Sequence, residues 1–138
     1  MSAENRTENI AVRAIMVVDG KVLLGKRGRG IGKNKFALIG GKPEEGESFE
    51  EAIKREVKEE LGLIFKNPTH WFEETNDQTI QGQTWHTHYF FGEIEGQLNL
   101  NKDEILEVVL ISGNDLTNFD FAFNHREVLT RYFYLSGT

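Results

Sequence analysis

The sequence predicts an α/β or α+β sandwich. Three observations carry that expectation. Apolar runs of strand type recur between residues 10 and 112, one capped amphipathic helix interrupts them, and a second helical run lies near the end. With 138 residues the chain is long enough to bury a core, and no repeat, low-complexity tract or linker divides it, so a single domain over 1–138 is expected.

The elements follow in order. Ile10–Val18 is rich in Val, Ile and Ala and reads as a strand, and Asp19-Gly20 is a hairpin signal before a return strand over Lys21–Lys26. Residues 25–35, GKRGRGIGKNK, form a Gly-rich basic loop, and Phe36–Ile39 is a short strand. A helix is predicted over Phe49–Leu61. Ser48 is its N-cap, Glu51 completes a capping box, and Gly62 stops it in the left-handed conformation. Phe49, Ile53, Val57 and Leu61 form its apolar stripe, and Glu50 is spaced to pair with Lys54. Strands are expected over Ile64–Thr75, Thr84–Glu95 and Ile105–Ser112, with TNDQTIQGQ as a polar connector between the first two. Phe123–Tyr134 is the second helix, with Asn124 near its start.

Composition narrows the function. The net charge is −6, which disfavours general binding to duplex nucleic acid, where affinity rests on cations. No cysteine is present, which excludes disulfides and thiolate zinc sites. The N-terminal run MSAENRTEN lacks the apolar core of a signal peptide, and no apolar run approaches a membrane span, so a soluble cytoplasmic protein is expected.

Glu56, Glu59 and Glu60 stand at i, i+3 and i+4, which puts three carboxylates on one helix face. Such like charges repel unless a divalent cation sits among them. Alone, this pattern describes many solvated helix faces. Its surroundings are more specific: Gly41, five residues, Glu47, seven residues, Arg55-Glu56-Val57, Lys58, Glu59-Glu60, Leu61, Gly62-Leu63. The run from 41 to 63 resembles the complete box of the Nudix hydrolases at every specified position, roughly a one-in-a-million match from residue frequencies. That family's fold is an α/β/α sandwich around a mixed β-sheet.

The resemblance implies a site. Glu56, Glu59 and Glu60, with the carbonyl of Gly40, would ligate Mg²⁺ or Mn²⁺. Glu47 and Arg55 would form a salt bridge tying loop to helix, and Ile53, Val57 and Leu61 would face the core. The implied reaction is attack of a metal-activated water on phosphorus, with a carboxylate as proton acceptor. Glu56, Glu60 and Glu104 are the candidates, with Glu107 behind them.

The substrate is read from the rest of the chain. Lys26, Arg27, Arg29, Lys33 and Lys35 crowd a loop leading into the box, and Lys26, Arg27, Arg29 and Lys42 are the expected phosphate contacts. The flanks LLGKR and FALIGGKPEEGES resemble MutT-type nucleoside triphosphate pyrophosphohydrolases, with Phe36 where Trp is common and Ile39 where Pro is common. The leading expectation is therefore a nucleoside triphosphate cut to monophosphate and pyrophosphate. The run FDFAFNHREVL also resembles a pattern in Nudix enzymes of ADP-ribose and related dinucleotides, which makes that class the alternative and gives His125 a chance of touching substrate. A non-catalytic nucleotide sensor is a third reading, disfavoured by the intact box. Trp85, Thr87, Tyr89 and Phe91 share one strand face, read as core ahead of a base-stacking platform, while His86 and His88 share the other, read as surface histidines ahead of a metal pair. A homodimer is left open.

Overall fold

The computed structural model describes residues 9–80 and 83–136, with side chains for 9–75 and 84–135. The polar N-terminal run over 1–8 lies outside the described residues. β1 (Asn9–Val18) turns into β2 (Lys21–Arg27) through Asp19 and Gly20, whose φ values of 51° and 78° are those of a turn that follows the strand twist. The strand expected over 36–39 is two short pieces, β3 (Phe36–Ala37) and β4 (Ile39–Gly41), pairing with β2 and β1 respectively. α1 (Phe49–Leu61) has the predicted bounds. β5 (Ile64–Ile80) and β6 (Gln83–Glu95) form a long hairpin, β7 (Ile105–Ile111) pairs with β2, and α2 (His125–Ser136) closes the described chain.

Two expectations are corrected. The segment 75–83 is not simply a connector: β5 continues to Ile80 and stays paired with β6 through Thr75↔His86, Asp77↔Trp85 and Ile80↔Gln83, while residues 81–82 lie outside the described residues. A two-stranded ribbon is held by backbone hydrogen bonds, so polar side chains do not end it. The second helix starts at His125 rather than Phe123, because Phe123 has φ 56° and cannot belong to a right-handed helix.

β1 organises the sheet. It runs parallel to β6 over Asn9–Met16 and antiparallel to β4 and β2, giving a mixed sheet with β3-β2-β1-β6-β5 along its main path. Alternation along β1 feeds two cores. Val12, Ala14 and Met16 pack with Ala52, Ile53, Val57 and Leu61 of α1. Ile15 joins Leu24, Leu38 and Tyr89 with Val128, Leu129 and Phe133 of α2 on the other face. The result is the α/β/α sandwich that the sequence predicts. Among the described residues no helix is long and apolar enough to cross a membrane.

Candidate active site

α1 is fixed at both ends before its functional face is considered. The Ser48 hydroxyl accepts from the Glu51 N–H at 3.0 Å, and the Glu51 carboxylate accepts from the Ser48 N–H at 2.9 Å. Gly62, at φ 73°, donates its N–H to the Lys58 carbonyl. These caps satisfy backbone groups that a helix otherwise leaves open, and they set the register in which Glu56, Glu59 and Glu60 face β4.

Arg55 binds the loop over 42–47 to this helix. Its Nε and Nη2 donate to the two Glu47 carboxylate oxygens at 2.7 and 3.0 Å, and Nη2 also donates to the Lys42 carbonyl at 3.0 Å. Nη1 reaches Glu56 and Glu59 at 3.2 Å each. The hydrogen bond from Arg55 holds the Glu47 carboxyl below its usual range, and Glu47 in turn raises Arg55. The guanidinium thus anchors the loop and offsets part of the carboxylate repulsion.

Glu60 is different. It is only 8% exposed, and burial, followed by the hydrogen bond and charge of Glu56, pushes its carboxyl up to about 9, against a weaker opposing pull from Arg13. A buried carboxyl beside another carboxylate keeps its proton unless a cation takes the proton's place. Gly41 makes the approach possible, since a Cβ there would collide with the Glu56 carboxylate, and a Cβ at Gly40 would strike the Val12 carbonyl.

A cavity of about 330 Å³ lies over this face, lined by Arg13, Arg27, Gly40, Gly41, Glu56, Glu59, Glu60, Asn101 and Glu104. All the box carboxylates named as ligands therefore border one space with the glycine pair. Among the described residues, however, no three His, Asp or Glu side chains already converge as a metal cage. Glu56 and Glu59 turn to Arg55, and Glu60 bonds to Glu56. The donor set suits a hard cation even so, because its carboxylate oxygens share the cavity with the Gly40 and Gly41 backbone and Glu60 is buried among them beside Glu56.

The other predicted residues divide. Arg27 lines the cavity, donating to the Ile31 carbonyl at 2.7 Å, and its pKa is lowered by burial and by Arg13. Glu104 lines it too, ion-paired with Arg29. Lys26 instead pairs with Glu107 at 3.7 Å, and Lys42 lies over the Trp85 ring at 5.1 Å; neither they nor Arg29 or Glu107 is among the lining residues. His125 is buried and lies outside the lining. Its Nδ1 accepts the Leu38 N–H at 3.0 Å, and burial with Arg13 and Arg27 holds it well below its usual pKa, so it is a neutral structural group. Trp85, Thr87 and Tyr89 are buried. His86 is half-buried and meets Glu73 at 3.3 Å, whereas His88 is largely covered, packing on the Phe49 ring and meeting His70 at 3.0 Å, and its burial lowers its pKa.

Three residues at or beside the cavity escape sequence reasoning. Arg13 sits as a lone cation within the apolar run VRAIM, a signal that was available. Asn101 comes from a loop whose N–H groups at Asn99 and Asn101 donate to the Leu61 and Glu60 carbonyls, bonds that no spacing rule reveals. Phe123 touches both arginines: the Arg13 and Arg27 guanidinium carbons lie 5.4 and 4.9 Å from its ring centroid.

Comparison with known proteins agrees with this geometry. The family model described as the NUDIX domain matches residues 7–132. The chain is 35% identical over 124 residues to an ADP-ribose pyrophosphatase of Methanocaldococcus jannaschii, covering 89% of this chain and 72% of that protein. It is 42% identical over 57 residues to an oxidized purine nucleoside triphosphate hydrolase of Danio rerio, covering 41% of this chain and 36% of that protein. The crystal structure of a MutT protein from Methanosarcina mazei superposes with a TM-score of 0.79 at 22% identity, covering 95% of this chain and 96% of that one, and shares its fold.

Proposed function

The chain belongs to the Nudix family of pyrophosphohydrolases, and from that premise we propose that it hydrolyses the diphosphate bridge of ADP-ribose or a closely related nucleoside diphosphate derivative. One observation carries the choice of substrate. Likeness to the ADP-ribose pyrophosphatase spans 124 residues, whereas likeness to the triphosphate hydrolase spans 57. Similarity confined to a short stretch speaks to the reaction that stretch performs, while similarity across the domain also takes in surfaces that choose the substrate. Two further features support the reading. Two guanidiniums, Arg13 and Arg27, border the cavity and suit a diphosphate. An open groove of about 760 Å³, lined by the end of α1 and residues 97–101, adjoins at Glu59 and Asn101 and leaves room for a second group beyond the bridge.

Glu56, Glu59 and Glu60, with the Gly40 carbonyl, are the residues that would hold Mg²⁺ or Mn²⁺. When bound, such a cation supplies charge neutralisation on the diphosphate and lowers the pKa of water. The protein's own groups do the rest. Arg13 and Arg27 hold the phosphate oxygens and keep phosphorus facing the carboxylates. Glu104 takes the proton from the attacking water. A P–O bond forms to that water, the bridging P–O bond breaks, and its electron pair leaves on the departing phosphate. For ADP-ribose the products are AMP and ribose 5-phosphate.

The triphosphate reading stands second, favoured by the MutT-like flanks of the box. The test is a panel with Mg²⁺ comprising ADP-ribose, NADH, diadenosine polyphosphates, nucleotide sugars, and canonical and oxidised nucleoside triphosphates. Added alkaline phosphatase detects new monoesters, and pyrophosphatase detects pyrophosphate. AMP formed from ADP-ribose at the highest kcat/KM is the expected result. Pyrophosphate release from triphosphates, with ADP-ribose left intact, would replace this reading with the second.

A further inference from the structure

Phe123 holds a backbone conformation that its side chain disfavours. Its φ is 56°, in the left-handed region where a Cβ crowds the following carbonyl and where bulky residues are rare. Such a conformation persists only where its surroundings over-determine it. Here the flanking segment is bonded along its length to Phe36 in β3 and to Leu38 just after it. The Phe36 N–H donates to the Asp120 carbonyl, the Ala122 N–H donates to the Phe36 carbonyl, both at 2.8 Å, and the Leu38 N–H donates to His125. Opposite it, Gly32 is so close that a Cβ would come within 2.8 Å of the Ala122 methyl and 3.4 Å of Arg27 Cδ. The basic loop and the 120–125 segment therefore close around Arg27, with the Phe123 ring at their junction.

We propose that Phe123 is a positioning residue, whose aromatic ring holds the Arg13 and Arg27 guanidiniums at the cavity so that both meet the phosphates of one substrate. Two cations brought together from separate strands, β1 and β2, repel each other. An aromatic face attracts both and offers no acceptor that would compete with phosphate. A carboxylate at this point would also gather the arginines, but it would repel the ligand. The left-handed backbone is thus tied to function, since it places the ring where the two guanidiniums lie. This inference rests on the cavity being the phosphate site proposed above.

Three variants separate the ring from the backbone. Phe123→Tyr keeps the aromatic face. Phe123→Leu keeps apolar bulk and the strained φ but removes the π-system. Phe123→Gly removes the side chain and relieves the strain, so it provides a check on folding. The readouts are Tm, the Kd for the non-hydrolysable probe adenosine 5′-(α,β-methylene)diphosphate with Mg²⁺, and the KM and kcat for the substrate found by the panel. Loss of two cation–π contacts corresponds to roughly a tenfold rise in Kd and KM for the Leu and Gly variants, with kcat moving much less. The Tyr variant is expected to bind as wild type does. Leu binding like wild type, or Tyr binding no better than Leu, overturns the proposal. Wild-type protein that binds no diphosphate probe overturns both the proposal and the phosphate site beneath it. Wild-type binding with unchanged variants removes the proposal alone.

Discussion

The helix α1 lines the cavity, and the segment 120–125 carries the ring that touches two of the cavity's arginines, yet the two are built on opposite principles. α1 is specified locally. Its cap, stop, apolar stripe and carboxylate face lie within about fifteen residues, and each is recognisable from spacing. Residues 120–124 form no helix or strand beyond an isolated bridge of Phe121 to Phe36, and His125 opens α2. The segment's conformation is imposed by bonds to Phe36 and Leu38, more than eighty residues earlier. Chemistry carried by periodicity can be read directly, whereas the grouping of Arg13, Arg27 and Phe123 depends on contacts that only the folded chain creates.

The largest expected effect falls on the locally specified region. Glu59→Gln or Glu60→Gln removes a carboxylate charge and is expected to lower turnover by roughly three orders of magnitude or more, while circular dichroism remains native and melts show no loss of stability, because the caps and apolar stripe are untouched. Near-wild-type kcat in both variants would break the assignment of that face to catalysis. Glu104→Gln tests the far side of the cavity and is expected to cost about 10²–10⁴-fold in kcat, with little change in KM. A KM effect alone would demote Glu104 to a substrate contact.

Arg55→Ala should damage stability and activity together, since this side chain bonds to Glu47, Glu56, Glu59 and the Lys42 carbonyl. Melts run beside kinetics should show Tm and kcat falling in the same variant. An unchanged Tm would mean that the loop over 42–47 is anchored elsewhere.

Glu60 predicts a pH dependence in cation-free protein. Its folded-state pKa is raised to about 9 from 4.5, so across that window the folded chain holds a proton that the unfolded chain releases. That contribution to stability is complete below the unfolded value and is lost as pH rises through the folded value. Wild-type Tm in EDTA should therefore fall more between about pH 6 and 9 than that of Glu60→Gln, and Mg²⁺ should restore it most at the alkaline end. Parallel pH profiles for the two proteins would contradict the buried, proton-sharing pair. The smallest effect is expected at Ser48→Ala, about 1 kcal/mol from the lost N-cap, read as a modest drop in Tm with kcat preserved at saturating Mg²⁺.

These contrasts explain what was legible. The hairpin at Asp19-Gly20, the bounds of α1 and the two-sided core follow from turn chemistry and apolar period. The continued pairing of β5 and β6 past Thr75 did not, because backbone ladders carry polar side chains without a period-two apolar signal. The grouping of cations was visible in the loop, but the partners of each cation were not. Glu107 sits opposite Lys26 through the β2–β7 register, and Lys42 reaches Trp85, contacts between residues 43 or more positions apart in sequence. Arg13 was visible as a charge in an apolar strand and gains its meaning only when β1, β2 and the 120–125 segment meet.

The proposed function depends on the α1 carboxylates forming one cation site for phosphoanhydride hydrolysis. Its most direct test is a Mn²⁺ titration followed by electron paramagnetic resonance, on wild type and on Glu56→Gln, Glu59→Gln and Glu60→Gln, each with the methylene diphosphate probe present. Wild type is expected to quench the free-ion signal, and each variant to need at least tenfold more protein to do so. Quenching by the variants equal to wild type would contradict it and move the metal site elsewhere on the molecule.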